Sequence, residues 1–378
     1  MTIYDESLKA HKKAAGKLAM VSKVPLKTRH DLSLYYSPGV AAVSNQLAQH
    51  PEQTPLYTGT NNSVAIVSDG TSVLGLGNIG PYGALPVMEG KAILFKRFAN
   101  IDAVPIVLNT TDPDKIIETV AAIAPSFGGI NLEDIAAPQC FYIEDALKKL
   151  LPIPVMHDDQ HGTAVVVLAG LINATKLTGR SIAESKIVLI GAGAAGVAIA
   201  KLLHQYAKPT IVAVDSKGVI TNKRSGLSPE KALLASYSHD YGSRTLADAI
   251  RGADIFIGVS RGGLLTESMV KSMAPRSIIF ALANPEPEIT PIAAKAAGAA
   301  VIATGRSDFP NQVNNVLAFP GLFRGALDSK SKITDSHKIA AAEALAKSVT
   351  NVSDDMIIPD PLITDVTSTV AAVFHPAA

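Results

Sequence analysis

Residues 186–215 read KIVLIGAGAAGVAIAKLLHQYAKPTIVAVD: an apolar run, a turn of small residues, a helical stretch and a second apolar run that closes on an acid. Short apolar runs of this kind are how buried strands of a parallel sheet read. Gly191, Gly193 and Gly196 form G-x-G-x-x-G directly after the first strand, with Ala192, Ala194 and Ala195 between them. That spacing permits a tight turn, close approach of a pyrophosphate and close packing of helix on strand. Small residues at such a turn also serve packing alone. The preceding strand, the following helix and Asp215 at the end of the next strand together make it a dinucleotide site.

The stretch 152–174, PIPVMHDDQHGTAVVVLAGLINA, lies just upstream. Val155 and Met156 end a buried strand, Asp158 and Asp159 fall at its exit, and Gly162 and Thr163 open an apolar helix that continues to Ala174. Carboxylates at a strand's carboxyl end, beside helix amides, stand where α/β proteins hold charged ligands. Earlier still, GGINLEDI reads as a strand ending in Glu133 and Asp134. Acidic pairs at strand ends are commonly solvated turns, but if these two strands are neighbours the four acids meet. Converging carboxylates cannot all stay ionised without a cation, and hard oxygen donors point to Mg²⁺ or Mn²⁺. No cluster of Cys or His accompanies them, which argues against zinc.

A chain of 378 residues, 47% hydrophobic and 18% charged, reads as a soluble globular protein with room for two cores. Its formal net charge of +1 gives no electrostatic reason for nucleic acid or an anionic membrane as partner. The single cysteine, Cys140, excludes an intramolecular disulfide and suits a reducing cytoplasm. Burial as a small apolar residue is the expectation for it, ahead of a catalytic thiol. The amino-terminal MTIYDESLKAHKKAAGK carries charges where a secretory signal needs an apolar core. The apolar run 164–174 falls short of the roughly 20 residues that span a bilayer.

In chain order, residues 4–20 suit a polar amphipathic helix, and a break at Pro38-Gly39 follows Tyr35 and Tyr36. Adjacent residues of an extended segment face opposite ways, so one tyrosine is expected in the core and the other free for function. A strand at 64–67 leads into a loop with Gly70, Gly75, Gly77 and Gly80, then a helix carrying Lys91 in the apolar segment GKAILF. Lys91 is either an ordinary snorkelling lysine or a desolvated one whose lowered pKa lets it act as a base. Beyond the glycine turn, runs at 255–260, 277–285 and 299–305 read as further parallel strands, whose carboxyl ends nominate Ser260 and Asn284. Asn314 and Asn315 follow, where an asparagine pair caps a helix. The expected architecture is α/β throughout, with residues 1–155 as a substrate and metal domain. Residues 156–378 form a doubly wound, Rossmann-type dinucleotide domain with a carboxyl-terminal helical cap, the site lying between the two.

The segments YYSPGVA, SDGTSVLGLGNIG, PVMEGKAILFKRF, INLEDI, HDDQHGTA, GAGAAG, ALANP and NNVLAFPG, from about Tyr35 to Gly321, resemble the malic enzyme family in its short bacterial form. The resemblance implies oxidative decarboxylation of L-malate to pyruvate and CO₂ with NAD or NADP as hydride acceptor. Carried over motif by motif, it assigns Tyr36 as the acid that protonates C3 and Lys91 as the base, with Asp158 beside it. Glu133, Asp134 and Asp159 become the metal carboxylates, and Asn284 and Asn315 the substrate contacts. Eukaryotic relatives carry a carboxylate-clamping arginine where this chain has Ser72, which leaves the partner of the second malate carboxylate open. Asp215 favours the free ribose hydroxyl of NAD. Lys217, Lys223 and Arg224 nearby are cations that suit NADP. Relatives of this kind form dimers or larger assemblies, and the apolar amino-terminal helices make a homodimer the expectation. The rival readings are an oxaloacetate decarboxylase on the same scaffold and a non-catalytic nucleotide-sensing module.

Overall fold

The computed structural model of the chain describes residues 2–73, 75–239, 242 and 244–375. Leu74 of the glycine-rich loop, Met1 and residues 376–378 at the ends of the two expected domains lie outside the described residues.

Two parallel sheets divide the molecule. The first contains β1 (Ser63–Ser68), β2 (Asp102–Val107), β3 (Gly129–Leu132) and β4 (Val155–His157), in the order β2-β1-β3-β4. Their β-branched residues suit a pleated surface covered on both faces, and Val64 to Val67 are fully buried. Parallel neighbours need crossovers, supplied by the helices Gly80–Ala99, Pro113–Ile123 and Gln139–Leu150. Asp112 caps the second of these, accepting from Asp114 N at 3.0 Å, with Pro113 in its first turn.

The second sheet contains β5 (Lys186–Ile190), β6 (Thr210–Asp215), β7 (Gly218–Val219), β8 (Ile255–Gly258), β9 (Ile278–Ala281) and β10 (Val301–Thr304). Its order, β10-β9-β8-β5-β6-β7, is that of a doubly wound dinucleotide fold, with only β7 antiparallel. The order reverses at β5, so the crevice falls beside the glycine turn that follows it.

Several expectations need adjusting. The strand β4 runs to His157 and pairs with β3, so two residues placed in the second domain complete the first sheet. The following helix spans Asp158–Thr178, which makes Asp158 and Asp159 its first turn rather than a loop before Gly162. Acids there face the positive end of the helix dipole, which explains the early start. The first helix stops at Ala14, not Met20, because Ala15 adopts a left-handed conformation. The helix Phe319–Ser329 is more than a cap on the second sheet. Phe319 and Phe323 lie 4.7 and 5.4 Å from the ring of Phe95 on the Gly80–Ala99 helix, so one apolar core runs through both halves. No helix among the described residues is long and apolar enough to cross a membrane.

The glycine turn illustrates how tightly helix and strand approach. A methyl group added at Gly196 would sit 1.8 Å from the Gly191 carbonyl oxygen, and one at Gly191 would sit 2.6 Å from that of Val259. At Gly193 it would meet nothing within 4 Å, leaving that side open to a ligand. We expect Gly196→Ala to lose nucleotide binding by about a hundredfold or more, because the helix must move off the strand and misplace the turn. Titration with NADH or NADPH, followed by nucleotide fluorescence, checks this; unchanged affinity overturns it.

Candidate active site

Because β3 and β4 are paired in register, with Leu132 opposite His157, the acids that follow them emerge side by side. Glu133, Asp134 and Asp159 each present a carboxylate oxygen, and the three oxygens lie within 4.8 Å of one another. All converge at the carboxyl edge of the first sheet. Asp134 reaches this position with a φ of 54°, and its N–H donates to Asp159 Oδ2 at 2.8 Å. From below, Ser72 N–H donates to the Asp134 carbonyl at 2.9 Å, so Ser72 braces the acid through its backbone. Asn131, buried on β3, donates from Nδ2 to Glu133 Oε2 at 2.9 Å and fixes that carboxylate.

Lys91 projects from the Gly80–Ala99 helix into the same cluster. Its Nζ donates to Glu133 Oε1 at 2.8 Å and to Asp158 Oδ2 through a very short contact, and it lies 4.1 Å from the centre of the Phe319 ring. Only 7% of Lys91 is exposed. The expectation of a lowered pKa is not met. Burial pulls it down, but Asp158, Glu133 and Asp159 more than compensate and raise it above the ordinary lysine range. The carboxylates respond to the same crowding: burial, opposed by Lys91, lifts Glu133 to about 7 and Asp158 to about 6. Burial and the neighbouring Asp159 and Glu133 charges push Asp134 to about 9. A methyl at Gly162 would stand 1.9 Å from Asp158 Oδ1, so this glycine exists to make room for the carboxylate.

A cation fits here. Asp134 Oδ2 and Asp158 Oδ1 are buried without a hydrogen-bond partner among the described residues, a costly state for carboxylates that a hard divalent ion relieves.

The sites in the second domain lie at the strand ends. Gly191 N–H donates to the Val214 carbonyl at 3.0 Å, which sets the glycine turn beside Asp215 at the end of β6. Ser260 follows β8, its N–H held by Glu288 Oε1 at 3.0 Å. Asn284 is exposed after β9 and faces the loop of the first domain: a methyl added at Gly75, whose φ is 75°, would fall 2.2 Å from the Asn284 carbonyl oxygen. That loop thus bridges the two halves. Asn315 begins a short 3₁₀ turn, with its Cβ against Gly162 and hence beside Asp158.

Two family profiles cover almost the whole chain: "Malic enzyme, N-terminal domain" matches residues 15–148, and "Malic enzyme, NAD binding domain" matches residues 160–377. The chain belongs to the malic enzyme family. It is 55% identical over 383 residues to the bifunctional malic/malolactic enzyme of Bacillus subtilis (strain 168), covering 100% of this chain and 93% of that one. It is 50% identical to the NADP-dependent malic enzyme of Halomonas elongata, over 87% of this chain and 78% of the relative. The crystal structure of NAD-dependent malic enzyme from Thermotoga maritima superposes with a TM-score of 0.95 at 49% identity, covering 98% of this chain and 99% of that one.

Against the malic enzyme expectations, the fold brings Lys91, Glu133, Asp134, Asp158 and Asp159 together and leaves Tyr36 apart. The hydrogen-bonding partners of Lys91 are Glu133 and Asp158, and Tyr36 is 69% exposed just past the Arg29–Tyr35 helix. Tyr35 is 44% exposed, so neither tyrosine is the expected core residue. Both sit in an amino-terminal segment whose first three helices bury nothing. Cys140 is fully buried.

A buried charged network behind the acids has no counterpart in the sequence reading. Glu144, on the Gln139–Leu150 helix, accepts from His157 N–H at 2.9 Å and Lys148 Nζ at 2.6 Å through one oxygen. Its other oxygen accepts from Gln160 Nε2 at 3.2 Å and faces His161 Nε2 at 2.9 Å. Burial opposes ionisation, yet His161 and Lys148 hold the Glu144 carboxyl well below its usual range. Lys338, 3% exposed on the Asp335–Lys347 helix, stands 3.0 Å from His161 Nδ1 and can only donate, so the imidazole proton rests on Nε2 toward Glu144. His157 in turn places Nε2 3.1 Å from Asp159 Oδ2. The sequence reading names none of Glu144, Lys148 and Lys338: an acid and a lysine four residues apart are commonplace on a helix face, and lysines are ordinarily exposed. Only the two histidines flanking the acid pair offered a signal. Removing the shared acceptor strands several buried donors, so we expect Glu144→Ala to cost about 3–5 kcal/mol of unfolding free energy. Urea denaturation measures it; a loss below about 1 kcal/mol shows that the network is not structural.

Proposed function

We propose that this chain carries out oxidative decarboxylation of L-malate to pyruvate and CO₂, coupled to reduction of NAD or NADP, with a divalent cation held by Glu133, Asp134 and Asp159. The observation that carries this reading is Lys91, clasped by Glu133 and Asp158 at the edge of the three-carboxylate cluster. When bound, Mg²⁺ or Mn²⁺ supplies Lewis-acid polarisation of the substrate's C2 oxygen, and the nicotinamide supplies the hydride acceptor.

The remaining work falls to side chains of this protein. Lys91, with Asp158 as its proton partner, takes the proton from the C2 hydroxyl. With Glu133 and Asp159 given over to a cation, less carboxylate charge remains to hold the proton on Lys91. Its Nζ then comes down toward the range in which it accepts one. To Asn315, against the Asp158 turn, and Asn284, beside Gly75 of the glycine-rich loop, we assign the orientation of substrate carboxylates. Gly191 to Gly196 receive the pyrophosphate, and Ser260 lines the same crevice. Returning a proton to C3 is the part we assign to Tyr36. Its exposure in a single chain, in a segment that also exposes Ile3, Leu8, Val21, Leu32 and Leu34, supports a homodimer. Static light scattering at micromolar concentration is expected to give about twice the chain mass; a monomer ends that reading. Residence in a reducing cytoplasm, motivated by the lone buried Cys140, belongs to the same proposal.

A hydride-free oxaloacetate decarboxylase is not favoured, because the relatives above are named as malic enzymes and two of them as nicotinamide-dependent. The deciding assay supplies malate and Mn²⁺ with NAD and NADP in turn, and follows reduced nucleotide and pyruvate together. Equimolar appearance of both supports the proposal. Pyruvate from oxaloacetate with no malate-driven reduction of either nucleotide overturns it.

A further inference from the structure

The acid that closes β6 is not offered to a ligand. Asp215 Oδ1 accepts from Lys217 N–H and from Arg224 Nη1, both at 2.9 Å; Oδ2 accepts from Arg224 Nη2 and from Lys231 Nζ, both at 2.7 Å. The side chain is 6% exposed, whereas those of Arg224 and Lys231 are 20% and 33% exposed. What a ligand meets at this strand end is therefore the outer edge of a guanidinium and an ammonium. A ribose diol needs a carboxylate with free lone pairs, and this one has none to spare.

The cations are built in place. Gly218, at a φ of 105°, turns the chain back from β6 into β7, and a methyl there would lie 2.3 Å from the Arg244 carbonyl oxygen. Arg224 follows that hairpin and also reaches the Gly218 carbonyl at 3.4 Å. Lys231 sits in the first turn of the helix Pro229–Tyr237, where Ser228 accepts its N–H at 3.4 Å. Burial works against the Asp215 charge, but Arg224, Lys231 and the Lys217 N–H hold the carboxyl well below its usual range. The acid stays ionised, and the three side chains carry one net positive charge.

We propose that Arg224 and Lys231 read a phosphate on the adenine ribose, so that the chain selects NADP over NAD, with Asp215 as the positioning residue that holds the two cations side by side. This rests on the nucleotide site of the proposed function and concerns only its ribose end. It also reverses the weight that Asp215 carries in the bare sequence. A planar guanidinium suits bidentate phosphate contact, and the ammonium adds a point charge. The relatives leave the choice open, being named NADP-dependent in one case and NAD-dependent in another.

The test is equilibrium binding, without malate or metal, of adenosine 2′,5′-bisphosphate and of 5′-AMP to the full chain by titration calorimetry. The bisphosphate is expected to bind about tenfold or more tightly, with an affinity that falls as salt rises. Arg224→Gln and Lys231→Gln are each expected to remove most of that preference while AMP binding moves by less than about twofold. Melting curves report folding, and if Arg224→Gln does not fold, Lys231→Gln carries the test. Equal binding of the two nucleotides, tighter AMP, or a preference untouched by either substitution overturns the proposal and leaves malate chemistry standing. Failure of both nucleotides to bind overturns it together with the nucleotide reading of the glycine turn.

Discussion

Lys91→Ala is expected to lower malate oxidation about a thousandfold, within the range that a positioned proton-transfer group contributes. The amine is the only cation hydrogen-bonded to Glu133 and Asp158 among the described residues, so its loss removes both the proton acceptor and the counter-charge. Two buried carboxylates left without it take up protons, since burial already lifts Glu133 to about 7 and Asp158 to about 6 with the lysine present. Lys91→Arg keeps the charge but not a nitrogen that can give up its proton near neutral pH, and should not restore the rate. Initial rates with saturating malate, Mn²⁺ and nucleotide check this, alongside circular dichroism for folding. Activity of either variant within a few-fold of the parent removes Lys91 from the mechanism.

Cation binding should strengthen steeply with pH. Glu133 and Asp134 bind protons more tightly in the fold than in the unfolded chain, at about 7 and about 9, because they are buried and, for Asp134, because Asp159 and Glu133 face it. A raised carboxyl pKa contributes stability that is complete below the unfolded value and is lost as pH rises through the folded one. The metal-free protein is therefore expected to weaken as pH climbs from about 4 toward about 9. A divalent cation must displace those same protons, so Mn²⁺ should bind more tightly, and stabilise more, at pH 8 than at pH 5. Asp159→Asn removes the one carboxylate of the three whose pKa lies below the usual range: burial pushes it up, but His157, Lys91 and the Asp134 N–H outweigh that and hold it down. It should lower Mn²⁺ affinity by on the order of a hundredfold. Calorimetric titration of Mn²⁺ into parent and variant across that range reads both effects. An affinity independent of pH, and equal in the two proteins, would show that the cation does not sit on these acids.

Much of the architecture was legible because strand and helix signals here are local. The β-branched runs at 64–67 and 187–190 can bury both faces only in a covered parallel sheet, and the glycine spacing after the second admits few turns other than the one found. The acid pairs were legible as strand ends. Their convergence was not, because it depends on β3 and β4 being neighbours, a matter of topology rather than of any local pattern. The early start of the Asp158–Thr178 helix was missed for a related reason: Gly162 and Thr163 read as its opening, and the two acids before them as a strand exit, until the helix dipole that favours acids in a first turn is in view.

By itself, then, the sequence determined which elements form, which residues line their ends, and the family to which the chain belongs. The tertiary structure alone decided the charge states. Lys91 reads as either a snorkelling lysine or a base of lowered pKa until three carboxylates surround it, and Asp215 reads as a ribose acceptor until Arg224 and Lys231 close over it. Ionisation answers to whatever lies within a few ångströms in space, and those neighbours come from chain segments that no local pattern brings together.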